Sequence, residues 1–594
     1  MNIDYLNIKT KIMKAKKILF SIAVLLLVLS SCDDVQFGDK FLEKEPGVDV
    51  TKDTIFGSTE LAFRYLIKGY ATLPYGLNLD FEPKTNKMGM DLLESLSDLN
   101  QSYLSWGGTN SLYYNGQYSA STENTSANTK YHYIKEDSWI GIRIGWNFIE
   151  NADRIPDASE ALKKQLKAEA KMIIALHYTD MYRNFGGLPW VDHAFTPSES
   201  TNLPRKTSLE TLENIVKLIN EAIPDLPLIM ADLSNNDGRF TKASAMGLKA
   251  RLLLFGASPL FNSGVPYFEG STDKSTWHGS YDANLWKRAA DAAKDLLNQG
   301  GYKLVNTGNP RKDFQDGYYK RGNGEILIST RTRYKSGAYW AANYYFYQSA
   351  SGYGTACPTK EYVDMFPMAD GTPIDAPGSG WNPAKPWENR DPRLYETVLV
   401  NGDAFQGREA ELWIGGRERT TLAANASKTG FGLKKFLLDR DVATSIQSIV
   451  QWPYLRLAEI YLTYAEATNE FNGSPTPEAY DAVNMVRNRV GLNDLPRGLS
   501  QIEFRNAVLK ERALEFGFEE VRWYDIIRWK KDNFLRQTLH GVNTTKNPDG
   551  TFSYETVNLP PRFWQNNWST KWYLSAFPPT EINKNYGLTQ NPGW

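Results

Sequence analysis

Cysteine is almost absent from this 594-residue chain. Only Cys32 and Cys357 occur, which excludes a disulfide framework. Histidine is scarce as well. His132, His177, His193, His278 and His540 include no two at metal-ligand spacing, and no His-Glu-x-x-His is present. Neither sign of charge is in excess: 67 Lys+Arg stand against 68 Asp+Glu, a net charge of -1. That removes the global basic field on which nucleic-acid binding rests. No apolar run reaches the roughly 20 residues of a membrane span. Walker loops and Gly-x-Ser-x-Gly elbows are missing too; Gly352 to Gly354 lacks the following Lys. Carboxylates are plentiful, but no pair stands out as the two acids of a glycoside hydrolase.

What the chain has in quantity is aromatic residues, 13% of the total, with 17 Trp and 33 Tyr. A hydrophobic fraction of 41% is that of a globular protein, and the length exceeds one simple core. The N-terminus reads as an address. Lys14, Lys16 and Lys17 precede an apolar run from Ile18 to Leu29. The run is too short to cross a bilayer and suits a signal-peptide core. It ends in Leu29-Ser30-Ser31-Cys32, which resembles a bacterial lipobox. Residues 1–31 are therefore expected to be a lipoprotein signal peptide, with Met13 an alternative start. Cys32 is expected to carry the acyl chains and residues 32–55 to form a tether. Several acyl chains together anchor stably, each buried CH₂ contributing about 0.8 kcal/mol. Cys357, between Ala356 and Pro358, has no neighbouring base and reads as structural.

Helical periodicity dominates residues 56–594. In 160–183, Leu166, Ala170, Ile173, Ile174, His177 and Met181 share one face. In 241–257 the face is Ala243, Met246, Gly247, Ala250, Leu254 and Ala257, and in 454–468 it is Tyr454, Leu457, Ala458, Tyr461, Ala465 and Thr468. Further amphipathic pieces are 59–70, 139–152, 208–223, 284–299, 476–490 and 501–529. Small residues beside Tyr and Leu suit close helix packing of the tetratricopeptide kind, without a strict 34-residue period. The expected fold is mainly α, a degenerate array of helical hairpins. Long polar stretches interrupt it at 100–135, 258–283, 302–355 and 368–430, and Glu325–Arg331 is a strand candidate. The helices read as scaffold and the insertions, chiefly 258–283 and 302–430, as the working surface.

A series of motifs runs in order along the chain. Ala168-Glu169-Ala170 leads to Gly186-Gly187-Leu188-Pro189-Trp190. Gly238-Arg239-Phe240-Thr241 opens a helix. Pro358-Thr359 runs to Met365-Phe366 and Asp370-Gly371, and Asn389-Arg390-Asp391-Pro392-Arg393 follows. Arg456-Leu457-Ala458-Glu459 leads to Ala465-Glu466-Ala467. Glu511-Arg512 precedes Arg522-Trp523-Tyr524-Asp525 and Arg528-Trp529. Pro578-Pro579-Thr580-Glu581-Ile582 precedes the terminal Asn591-Pro592-Gly593-Trp594. Together these resemble the SusD/RagB family of nutrient-binding outer-membrane lipoproteins of Bacteroidota, departing only in the final Trp. The resemblance implies about four tetratricopeptide-like helix pairs with short β-hairpins in the insertions. It also implies an outer-membrane, outward-facing position, no enzymatic activity, and a SusC-like TonB-dependent transporter as partner.

By chemistry the motif residues read as structure. Asp391 between Arg390 and Arg393 suits ion pairing and loop capping. Arg522, Asp525 and Arg528 near one helical face read as a salt-bridge network, as do Glu459 and Glu466. His177 reads as a core histidine and Asp192-His193 as a surface pair. For a ligand, sugar C–H faces stack on flat rings while amides, carboxylates and guanidinium groups bond the hydroxyl rims. Two clusters of aromatics on polar segments fit. One is Asp98, Asn100, Tyr103, Trp106, Tyr113, Tyr114, Asn115 and Tyr118. The other is Trp277 with Tyr318, Tyr319, Tyr334, Tyr339, Trp340, Tyr344, Tyr345 and Tyr347. The bland reading of each ring is loop packing. Trp106 (Ser-Trp-Gly-Gly) and Trp340 (Tyr-Trp-Ala-Ala) have the fewest apolar neighbours in sequence to bury them. The expected ligand is an oligosaccharide or polysaccharide. Alternatives are a peptide, a transporter lid without ligand affinity of its own, or a surface glycosidase. No cofactor is expected; if calcium binds, the carboxylates of 364–391 are where it would sit.

Overall fold

The computed structural model describes residues 51–77, 87–89, 91–125, 128–196, 198–199, 202–331, 354, 356–419, 427–437 and 451–594. The chain divides into an N-terminal unit, Met1–Ile55, and a body, Phe56–Trp594. Of the first, residues 51–55 are described, with one helical turn at Lys52–Ile55. Cys32 and residues 32–50 of the expected tether lie outside the described residues, and the tether's last residues, 51–55, hold that helical turn.

The body is an array of packed helices: α1 (Thr59–Tyr70), α2 (Ser138–Asn151), α3 (Glu160–Phe185), α4 (Ser208–Ala222), α5 (Lys242–Ala257), α6 (Asn284–Gln299), α7 (Leu457–Asn472), α8 (Pro477–Arg489) and α9 (Gln501–Phe516). Each of α2 to α9 packs against the next in chain order, and α1 packs on α2 and α3. The eight helices from α2 form four successive pairs. Their starts are written in the sequence. Ser159 caps α3, and Thr207 with Glu210 and Ser500 with Glu503 form capping boxes on α4 and α9. Small residues let the helices close on one another. A Cβ on Gly145 of α2 would stand 2.5 Å from Ile174 of α3, so only glycine fits there. His177 is a buried core residue, its Nε2 2.8 Å from Thr72 Oγ1, while Asp192 and His193 pair at the surface.

Two sequence expectations change. The 454–468 helix begins only at Leu457, because Trp452–Arg456 is strand (β4) and pairs antiparallel with β2 (Ile326–Thr330). The 501–529 helix is two: α9 ends at Phe516, and α10 is Arg522–Arg528. Between them Phe518 and Glu520 take positive φ, a conformation that a helix cannot continue through.

The insertions are not simply surface. A web of fully buried charges joins them to the last helix pairs. Arg456 donates to Glu325 (2.6 Å), Glu515 (2.9 Å) and Glu519 (2.8 Å). Arg489 pairs with Glu325 and Glu515, and Arg393 with Asp391, Glu511 and Glu515. Lys435 reaches Glu519 at 2.7 Å. A second web runs Arg251–Glu459, Arg512–Asp525–Arg528 and Arg528–Glu466. Burial alone would raise the Glu515 carboxyl; Arg489, Arg456 and Arg393 outweigh it and hold Glu515 far below its ordinary range. The network expected for Arg528, Asp525, Glu459 and Glu466 is thus present. Two details differ. Arg522 pairs with Asp98, through two bonds of 2.8 and 2.9 Å. Arg390 leaves Asp391 to Arg393 and instead donates to the carbonyls of Val363, Phe366 and Pro386, tying down the loop before it.

Candidate functional site

Strand β1 (Asn100–Ser102) is the foundation of the first aromatic segment. It pairs antiparallel with β3 (Ala356–Pro358), Gln101 opposite Cys357. Arg562, from the C-terminal tail, clamps it from behind. Its guanidinium donates to Gln101 Oε1 (3.0 Å) and to the carbonyls of Ser97 (2.7 Å) and Asn100 (2.6 Å). A tight turn follows. The Asn110 amide donates to the carbonyls of Ser102 (3.3 Å) and Leu104 (3.1 Å), and Gly107 N–H donates to Leu104 O (3.0 Å). Leu104 is fully buried and anchors the turn. Gly108 lies so close to the neighbouring segment that a Cβ there would sit 1.8 Å from Asn128 O. At the apex stands Trp106, 53% exposed. A large ring held at the surface by a rigid backbone is a platform whose ordering entropy is already spent before a ligand arrives.

The other predicted residues separate into distinct groups. Tyr103 beside the turn is half-buried. Asp98 is fully buried and bidentate to Arg522, and Asn100 is fully buried with its amide on Ser95 Oγ. Both side chains are buried and brace β1. Tyr113, Tyr114 and Tyr118, expected as exposed rings, are buried. Tyr113 and Tyr118 stack at 4.8 Å and pack on Trp564, Trp572 and Trp594 of the tail. Tyr114 lies under the Arg562 guanidinium and donates to Ser95 O, and burial pushes its hydroxyl up to about 12. Tyr318 is buried between Phe314 and Phe436, with Lys435 over its ring. Tyr319 and Trp277 are half-buried. Trp277 belongs to a separate region, where the segment around it bonds to Gly187, Ser208 and Phe261. Tyr334 and Trp340, like Tyr339 and Tyr344 to Tyr347, lie outside the described residues.

One ring was missed. Phe563 is 37% exposed. It packs over Gly116, and its N–H donates to Tyr114 O (2.8 Å), at the far end of the one-turn helix Thr109–Tyr114 that starts beside Trp106. Its setting, Arg-Phe-Trp-Gln-Asn-Asn, carried the same aromatic-among-polar signal as the Trp106 segment. Among the described residues no group of three or more His, Cys, Asp or Glu is placed to hold a metal ion. No helix among them is long and apolar enough to cross a membrane.

Comparison with known proteins gives this scaffold its relatives. Residues 325–594 match the model of the SusD family. SusD-like protein P2 of Formosa agariphila is 25% identical over 464 residues, 75% of this chain and 77% of that protein. The crystal structure of a SusD-like protein from Bacteroides fragilis, 24% identical, covers 93% of this chain and all of that one with a TM-score of 0.71. A laminarin-binding SusD-like protein, 18% identical, covers 91% of this chain and all of its own with a TM-score of 0.61. The ordered motifs, the four helix pairs and these matches agree that this chain has a SusD-like fold and is similar to the SusD family over residues 325–594.

Proposed function

We propose that this protein is a cell-surface glycan-binding lipoprotein that captures an oligosaccharide on the Trp106 turn and passes it to a SusC-like TonB-dependent transporter. Cys32 would carry the lipid anchor in the outer membrane. The observation that carries the reading is Trp106 itself: an exposed indole on a turn fixed by Asn110, Leu104 and Gly108. Ring stacking contributes on the order of 0.5–1.5 kcal/mol beyond area burial. A half-exposed indole gives moderate affinity, which suits a ligand that must be released onward. The similarity to the SusD family and to a laminarin-binding SusD-like protein supports glycan binding.

The test is calorimetric titration of the wild-type protein and Trp106→Ala against plant, host and microbial oligosaccharides. Saturable heat with one glycan class, reduced at least tenfold in the variant at an unchanged melting temperature, supports the reading. Equal affinity in the variant refutes it.

A further inference from the structure

Away from the Trp106 turn, two adjoining clefts run along α9, with cavity volumes of about 540 and 500 Å³. That is the size range of small-molecule sites. Lys510 of α9 lines both. Asn506, one turn earlier, lies on the same helix face, and Lys531 crosses from the segment after α10 to donate to Asn506 Oδ1 at 3.1 Å. Lys531, Asn506 and Lys510 thus form a row along the first cleft.

The charges around this row are unevenly matched. Arg522 is committed to Asp98, Glu361 to His540 (2.5 Å to Nδ1, 2.9 Å from the N–H) and Asp364 to Lys360. Glu511, behind Lys510, is held by Arg393 and Arg487. Asp375 alone stands at the rim, exposed. Among the described residues neither Lys510 nor Lys531 has a carboxylate within ion-pair distance. Burial pushes both ammonium groups below their usual range. Asp375 and Glu511 oppose this at Lys510, whereas Arg487 and Arg390, and Arg505 and Arg522 at Lys531, reinforce it. An unmatched, half-buried charge costs free energy that an incoming counter-charge returns. The remaining wall is apolar: Leu509, Met365, Ile374 and Phe534, whose ring the Arg522 guanidinium covers at 4.7 Å.

We propose that this cleft binds an organic oxyanion, a carboxylate or sulfate group on a ring-sized carrier, gripped by Lys510 and Lys531 with its body against the apolar wall. The site is separate from the Trp106 turn and does not rest on the glycan reading. It would let the protein select charged ligands over neutral ones.

The experiment titrates the full chain at constant ionic strength with sodium glucuronate, glucose and sodium sulfate. The variants are Lys510→Gln, Lys531→Gln and Lys510→Arg, each checked by thermal melting. Acylation of Lys510, read by mass spectrometry, is followed with and without each anion. Glucuronate is expected to bind and glucose not. Each Gln variant should lose at least tenfold while Lys510→Arg keeps most of the affinity, and bound anion should protect Lys510. Protection by sulfate alone would assign a sulfate group, and by glucuronate alone a carboxylate. Trp106→Ala should leave these values unchanged. Glucuronate and sulfate both failing to bind, or binding undiminished in folded Lys510→Gln, would overturn the proposal.

Discussion

Replacing Arg456 by Met tests whether the buried ionic web holds the insertions onto the helical array. Arg456 is fully buried and bonds three carboxylates and the Glu515 carbonyl. Losing one partner of a buried ion pair costs about 3–5 kcal/mol. The lower end applies here, because Glu325 and Glu515 keep Arg489, Glu515 also keeps Arg393, and Glu519 keeps Lys435. With an unfolding entropy of about 2.1 cal/mol/K per residue, a body of this length has roughly 1.1 kcal/mol/K. A loss of about 3 kcal/mol therefore lowers the melting temperature by about 3 °C. The matched control is Arg64→Ala. Arg64 and Glu60 form an i,i+4 pair that is 71% and 72% exposed, so it contributes about 0.3–0.5 kcal/mol at most and its loss leaves the melt in place. Differential scanning calorimetry reads both. Arg456→Met melting with, or above, the wild type would show that the web does not hold the fold.

Three further outcomes follow from single residues. Glu94 is buried and accepts the Glu520 N–H at 2.6 Å; burial first, and then the Glu520 charge, raise its carboxyl to about 8. A raised folded value means that its contribution is complete below the ordinary Glu range and is lost as pH rises through about 8. Glu94→Gln should therefore match wild type near pH 4 and exceed it at pH 9 by up to about 5 kcal/mol, as read from melts across that range. Glu515 works in the opposite sense: its depressed value makes the ionic web weaken as pH falls below the usual Glu range, so Glu515→Gln should flatten the acid limb of the same curve. Gly108→Ala forces a Cβ against Asn128 O and should shift the turn, weakening glycan binding about as much as Trp106→Ala while the rest of the body stays folded, as followed by calorimetric titration.

The helical scaffold was legible because its signal is local. Capping residues such as Ser159, Thr207 and Ser500 and the apolar stripes of α3 and α5 lie within one element. The break after Phe516 was not legible, since the 501–529 pattern keeps its helical period while Phe518 and Glu520 turn the backbone aside. The motif charges were read correctly as structural, and Arg528 meets Asp525 as expected, but Arg522 and Arg390 take other partners. Arg522 meets Asp98, more than 400 residues away along the chain, and no local pattern announces that. The aromatic segment misled for the same reason. Tyr113 and Tyr118 sit among polar neighbours in sequence, and their apolar surroundings come from Trp564, Trp572 and Trp594 at the other end of the chain. Trp106 is 53% exposed, as its setting beside two glycines and a serine led one to expect.

The most direct measurement is a crystal structure of the protein with the glycan that titration selects. The account predicts a sugar ring lying flat against the Trp106 indole at van der Waals distance, with the turn from Ser102 to Asn110 unmoved. A glycan bound elsewhere on the molecule, with Trp106 untouched, would contradict it.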